Sequence, residues 1–203
     1  MELFDIIDEN GDPTGQTVER SIAHAEGIPH RTAHIWIIRR RNEKTEILLQ
    51  KRSRNKDSFP GKFDTSSAGH IQAGDEPLES ALRELKEELG ISATPEQLHF
   101  AGTFPISFAK EFHGKMFRDE EIAFVYIYQE PVNTAELVLQ TEEVAEVQWF
   151  DLEEVYEQCG KRREIFCVPE GGLGVVRSYL KSIEDDSSTY DVTVKLAGVA
   201  SGN

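Results

Sequence analysis

Between Gly69 and Ile91 the chain carries two patterns that one helix has to satisfy together. Leu78, Ala81, Leu82, Leu85 and Leu89 recur every three or four residues, which describes one apolar stripe. Glu84, Glu87 and Glu88 stand at i, i+3 and i+4, so their carboxylates share a face beside that stripe. Such a helix must bury its leucines against another layer while holding three acids close together. Asp75-Glu76-Pro77 gives an acidic start with proline in the first turn, and Gly90 gives a stop. Like charges at this spacing repel, and a cation that prefers hard oxygen ligands relieves the repulsion. Mg²⁺, with Mn²⁺ as a substitute, is the ion this donor set suits. The preceding loop, Ser67-Ala68-Gly69-His70-Ile71-Gln72-Ala73-Gly74, has the glycines needed to bring backbone carbonyls near the same ion.

The remaining residues read as short strands and helices around that unit. Alternation in residues 3–8, followed by the turn formers Asn10-Gly11-Asp12-Pro13, predicts a hairpin. β-branched and aromatic residues predict strands over 33–39 and 46–52, and an extended stretch over 63–68. Further strands are expected over 98–103, 121–128 and 146–150, and helices over 152–158 and 172–183. Residues 184–203, polar and small, fit either a tail or one added strand. The pattern predicts the α/β class, a mixed sheet between helices. A single domain over residues 1–203 is expected, with a core at about 31–165. Residues 1–30 would form an N-terminal hairpin unit, and 166–203 a C-terminal helix and tail.

Charge narrows the function. The 203 residues include 37 acidic and 22 basic side chains, a formal net charge of −15, which disfavours non-specific binding to nucleic acid or anionic membranes. No apolar run approaches the roughly 20 residues of a membrane span. No secretory leader is visible at Met1-Glu2-Leu3-Phe4-Asp5, so the expected location is cytoplasmic. Cys159 and Cys167 fit neither a disulfide framework nor a zinc pattern, and read as free structural thiols. There is no phosphate-binding P-loop, dinucleotide fingerprint or nucleophile elbow; Gly171-Gly172-Leu173-Gly174 is a lone glycine cluster. Trp36, Phe59, Phe104, Phe112 and Phe117 are expected in the core rather than stacked on a ligand.

Gly69, five residues, Asp75, seven residues, then Arg83-Glu84-Leu85-Lys86-Glu87-Glu88-Leu89-Gly90-Ile91 resembles the signature of the Nudix hydrolase superfamily. The departure is Asp75, where that signature usually has Glu. The resemblance implies a Nudix-type α/β/α sandwich and hydrolysis of a diphosphate joined to another moiety. It implies that Glu84, Glu87 and Glu88, with the Gly69 carbonyl, hold Mg²⁺. Arg83 would be an orienting residue and Asp75 would brace the loop and Arg83. Either Glu84 or Glu87 would act as the base that activates water.

Leu49-Gln50-Lys51-Arg52-Ser53, Phe59-Pro60-Gly61-Lys62-Phe63 and Ser67-Ala68-Gly69-His70 resemble the isopentenyl-diphosphate-isomerase-like subgroup. In the isomerases a catalytic cysteine precedes the motif glycine; here that position is Ala68. His30 and His70 match positions where isomerases bind a metal. Asp119 and Glu121 fall at a further acidic pair, which gives Glu121 a catalytic or metal-binding role. Residues 51–62 form the most basic stretch of the chain, with Lys51, Arg52, Arg54, Lys56 and Lys62 against Asp57. Lys51, Arg52 and Lys56, with His70, are therefore expected at the substrate, the basic groups on its diphosphate. The expected partner is a small nucleotide-like or prenyl-diphosphate-like molecule, and a homodimer is left open. The alternatives are an isomerase, which Ala68 argues against, an idle Nudix binding module, which the intact glutamates argue against, and a plain structural or interaction protein, which the gapless motif argues against.

Overall fold

The structure, a computed structural model, describes residues 2–199, with side chains through residue 184. β1 (Leu3–Ile7) and β2 (Pro13–Glu19) form the antiparallel hairpin that the turn residues predict, and α1 (Arg20–Glu26) follows directly. Next come β3 (His30–Arg41), β4 (Lys44–Arg52), β5 (Phe63–Asp64), β6 (Ser67–His70) and the acidic helix α2 (Pro77–Leu89). A single 3₁₀ turn at Pro95–Gln97 leads into β7 (Leu98–Phe112), β8 (Lys115–Tyr128) and β9 (Val144–Asp151). α3 (Leu152–Gln158) and α4 (Glu170–Val199) close the chain.

β3 is the spine of a seven-stranded mixed sheet. Its C-terminal half pairs antiparallel with β4, and its N-terminal half pairs antiparallel with β6. β8 runs parallel to β3 along the other side, with β7 antiparallel beyond it, while β5 and β9 pair with β4. A strand covered on both faces reads as a continuous apolar run, as residues 35–38 do. Ala33, Ile35 and Ile37 face Ala81, Leu85 and Leu89 of α2. Trp36 and Ile38 face the opposite layer, built from Leu152 and Val155 of α3 and Leu173 and Val176 of α4. The result is an α/β/α sandwich.

The glycine cluster near the C-terminus serves this packing. A Cβ at Gly172 would lie 2.7 Å from the Trp36 ring and 3.1 Å from Phe104, so a bare backbone is what lets α4 settle on the sheet.

Three expectations change. α1 is an added helix, held by a left-handed cap at Gly27. The strands expected over 98–103 and 121–128 are both longer, since the residues between them form the far half of the β7–β8 hairpin, turned at His113 and Gly114 with positive φ. α4 starts at Glu170 and continues to Val199, so most of the expected tail is helical; residues 200–203 lie outside the described residues.

Leu85→Ala removes a fully buried side chain from the α2–β3 interface and should lower stability by about 2–5 kcal/mol. Lys86→Ala, one residue on and exposed, should stay within about 0.5 kcal/mol. Urea unfolding of the two variants distinguishes stripe from surface.

Candidate active site

Strand register assembles the site. β3–β6 pairing sets Thr32 opposite His70 and Ala33 opposite Gly69, while β3–β8 pairing sets His30 opposite Glu121. These residues therefore meet at the N-terminal end of β3. α1 adds His24 from above the same end, and Asp119 arrives two residues before Glu121 on β8. His24 Nε2 lies 3.2 Å from His70 Nε2. His30 Nε2 lies 3.5 Å from a Glu121 carboxylate oxygen, and His70 Nε2 lies 3.7 Å from the same oxygen. Thr32 Oγ1 donates to the other Glu121 oxygen at 3.0 Å.

Ligand atoms of His24, His30 and His70 all fall within 4.8 Å of one another, as do those of His30, Asp119 and Glu121. Buried polar atoms normally have partners, yet His24 Nδ1, His30 Nε2 and Asp119 Oδ1 have no hydrogen bond. His24 Nδ1 and Asp119 Oδ1 are 3.4 Å apart without the alignment of one. Imidazoles and carboxylates converging with unsatisfied atoms fit a divalent cation, and the nitrogen-rich set suits Mn²⁺ or Zn²⁺ better than Mg²⁺. Burial, then the Arg20 charge and the other histidines, hold the His70 pKa well below the usual imidazole value. For His30, burial opposes charge, but the Glu121 carboxylate 3.5 Å away outweighs it and the pKa rises. Glu121 itself is pushed up by burial and by the Asp119 charge.

The glutamates of α2 lie on the other side of the Gly69 loop. Glu88 is buried and accepts hydrogen bonds from Ser67 Oγ at 2.6 Å, the Ala68 N–H at 3.1 Å and Gln50 Nε2 at 3.3 Å. Burial pushes its pKa up to about 7, against the lowering effect of the Ser67 bond. Glu84 packs against Gly69 so closely that a Cβ there would overlap its carboxylate, which is why this position is glycine. Burial also raises the Glu84 carboxyl, with Arg83 opposing. Arg83 Nη1 donates to Glu84 at 2.6 Å and to Glu87 at 3.5 Å, and Nη2 donates to the His70 carbonyl at 3.2 Å. Glu87 is exposed. The trio shares a helix face, but Arg83 and Ser67 hold its carboxylates on separate partners. Among the described residues Asp75 makes no ion pair with Arg83; its backbone is engaged instead, the carbonyl accepting from Arg31 and the N–H donating to the Gln72 carbonyl.

Both groups open on one cavity of about 820 Å³. Arg52 and Lys56 line it, each already matched to an acid: Arg52 to Asp64 at 3.0 Å, and Lys56 to Glu143. Lys51 does not line the cavity; it points to Glu146 on β9, 3.0 Å away. Alternation along β4 puts neighbouring residues on opposite faces, so Lys51 and Arg52 cannot share one ligand. Of the aromatics expected in the core, Trp36 and Phe104 are there, while Phe59 and Phe117 line the cavity. His24 is the residue that sequence reading missed. It lies outside the recognised motif, on a seven-residue helix with little periodic signal.

The NUDIX domain family pattern matches residues 29–167. An uncharacterized Nudix hydrolase of Clostridium acetobutylicum is 38% identical over 154 residues, 76% of this chain and 72% of that protein. Nudix hydrolase 3 of Arabidopsis thaliana is 39% identical over 155 residues, 75% of this chain but 20% of that longer protein. A crystal structure from Deinococcus radiodurans has the same fold, with a TM-score of 0.62 at 17% identity, covering 87% of this chain and 98% of that one.

Glu88 offers a pH test on metal-free protein. Its carboxyl keeps a proton to about pH 7 when folded and to about 4.5 when unfolded. The folded state therefore binds more protons between those values, and stability falls as pH rises through the window. Glu88→Gln removes this dependence. Relative to wild type the variant should gain on the order of 3 kcal/mol between about pH 4 and about pH 8, in urea unfolding with chelator present. A constant difference across pH would show that the Glu88 pKa is the same in the folded and unfolded states.

Proposed function

The chain belongs to the NUDIX domain family and is a Nudix hydrolase, and from that premise we propose that it hydrolyses a diphosphate linkage with the help of divalent metal. The observation that carries the reading is one cavity shared by the Gly69–Glu84 contact, the buried histidine–carboxylate cluster and two basic side chains. Glu84, Glu87 and Glu88, with the Gly69 carbonyl, are the oxygen donors for Mg²⁺. His24, His30, His70, Asp119 and Glu121 form the nitrogen-rich group. A bound divalent cation polarises a phosphoryl oxygen and lowers the pKa of the attacking water.

The protein groups do the rest. Arg52 and Lys56 hold the diphosphate oxygens by exchanging Asp64 and Glu143 for the substrate, which makes binding sensitive to both acids. Arg83 orients Glu84 and ties the loop to α2 through the His70 carbonyl. Glu84 is the favoured acceptor of the water proton, because burial raises its carboxyl towards the working range of a general base, whereas Glu87 faces solvent.

The substrate class is a small nucleotide-like or prenyl-diphosphate-like diphosphate. The isopentenyl-diphosphate-isomerase-like subgroup is supported by Arg52, Lys56, His30 and His70, and by the acidic pair on β8. Isomerisation is the second reading, favoured by the same cluster. Ala68 weighs against it, since a methyl group cannot move the proton that a thiol moves there.

Purified protein with Mg²⁺ should release phosphate or pyrophosphate from at least one member of a panel of nucleoside di- and triphosphates, sugar nucleotides and isopentenyl diphosphate. Chelation should abolish the release. Glu84→Gln should lower kcat about 10²–10⁴-fold with an unchanged melting temperature. Allylic product without phosphate release would replace hydrolysis with isomerisation, and binding without turnover would replace it with a ligand-binding module.

A further inference from the structure

A ligating imidazole is normally fixed in orientation by a hydrogen bond from its other ring nitrogen to a carboxylate or carbonyl. His30 has such a bond, from Nδ1 to the Ile28 carbonyl at 2.8 Å. His70 and His24 do not: their one side-chain hydrogen bond among the described residues is the contact between their own Nε2 atoms. Instead, flat rings cover the faces of these imidazoles. Phe4, fully buried, stacks on His70 at 4.5 Å with 16° between planes, and on His30 at 4.8 Å with 14°. Phe117 stacks on His24 at 4.2 Å with 18° between planes.

We propose that Phe4 and Phe117 are positioning residues for the histidine cluster, their ring faces doing for His70 and His24 what an outer hydrogen bond does elsewhere. This rests on the metal reading given above and deepens it. A ring clamped in a small apolar core is a rigid plane. Phe4 has such a core in Val18 and Ala23, with Ile6 and Ile28 packed against it. A parallel imidazole on that plane loses rotation about its Cβ–Cγ bond while its Nε2 stays directed at its neighbours. The negative face of a phenyl ring also favours an imidazole that has donated its lone pair to a cation. Phe4 and His24 both precede the matched region 29–167, so the N-terminal unit supplies one ligand and the plate that orients two others.

The test is a Co²⁺ titration of the metal-free full chain, followed by visible absorption. Wild type should bind with a ligand-field spectrum of nitrogen-containing coordination. Phe4→Leu and Phe117→Leu, which keep apolar volume and lose the flat face, should each weaken binding about 10–100-fold and alter the spectrum, with melting temperatures near wild type. Phe117 is partly exposed, so its variant stays informative even if Phe4→Leu does not fold. Phe117→Tyr, which keeps the ring, should bind like wild type. Val18→Ala, in the same small core as Phe4, and Phe112→Leu, beside Phe117, should also leave affinity unchanged. Wild-type affinity in both leucine variants overturns the proposal, and equal weakening by Val18→Ala overturns it in favour of general loosening. Absence of Co²⁺ binding by wild type overturns the metal reading itself and this inference with it.

Discussion

Two pairings made by one end of β3 hold the site together. Antiparallel pairing with β6 brings the Gly69–His70 corner alongside, and parallel pairing with β8 brings Glu121 alongside on the other side. Side chains alternate across a strand, so a slip of one residue in either ladder would turn His30 or Glu121 to the opposite face. The core guards against that slip: Ala33, Ile35 and Ile37 must meet α2 while Trp36 and Ile38 meet α3 and α4. Burial of the central sheet thus sets where the polar end of the same strand delivers its chemistry. α2 reports to the same arrangement, because its leucine stripe sits on β3 and its glutamates reach back to the β6 corner.

What collects there is costly to hold. Glu88, Glu121, His24 and His30 are buried, and burial raises the carboxyl pKa values of both acids. Three buried polar atoms of the histidine–acid cluster lack hydrogen bonds. A chain of net charge −15 gains nothing in fold stability from gathering Glu84, Glu87, Glu88, Asp119 and Glu121 around one cavity. Such local conflict is characteristic of functional sites rather than of a stabilising core, and it supports the cation-binding role proposed for these groups. The basic residues tell the same story from the other side. Arg52 and Lys56 are ion-paired with Asp64 and Glu143, so the anionic substrate proposed above would have to compete with these acids for them.

Much of the architecture was legible along the chain. The N-terminal hairpin, the strands at 33–39 and 46–52, and α2 with its stop at Gly90 follow from periodicity and turn chemistry. The β7–β8 extension was missed: Ile106, Phe108, Phe112 and Phe117 flank a His113-Gly114 turn, but the interspersed lysines and glutamates masked the alternation. α1 was not readable: seven residues give too little of a 3.6-residue period to separate from a loop. Gly171 and Gly172 read only as a lone glycine cluster; the closeness of Trp36 and Phe104 explains them.

Sequence alone determined the acidic helix, its glycine corner and the family signature, because those features are local: helical spacing and a tight turn fit within two dozen residues. Tertiary structure alone decided that His24 and Phe4 from the N-terminal unit join His30, His70, Asp119 and Glu121, that Lys51 turns away from Arg52's cavity, and that Arg83 serves Glu84 and the His70 carbonyl rather than Asp75. Those outcomes depend on strand register and on packing between segments as many as a hundred residues apart. No short-range pattern encodes such distances; they exist only once the sheet has closed around its core.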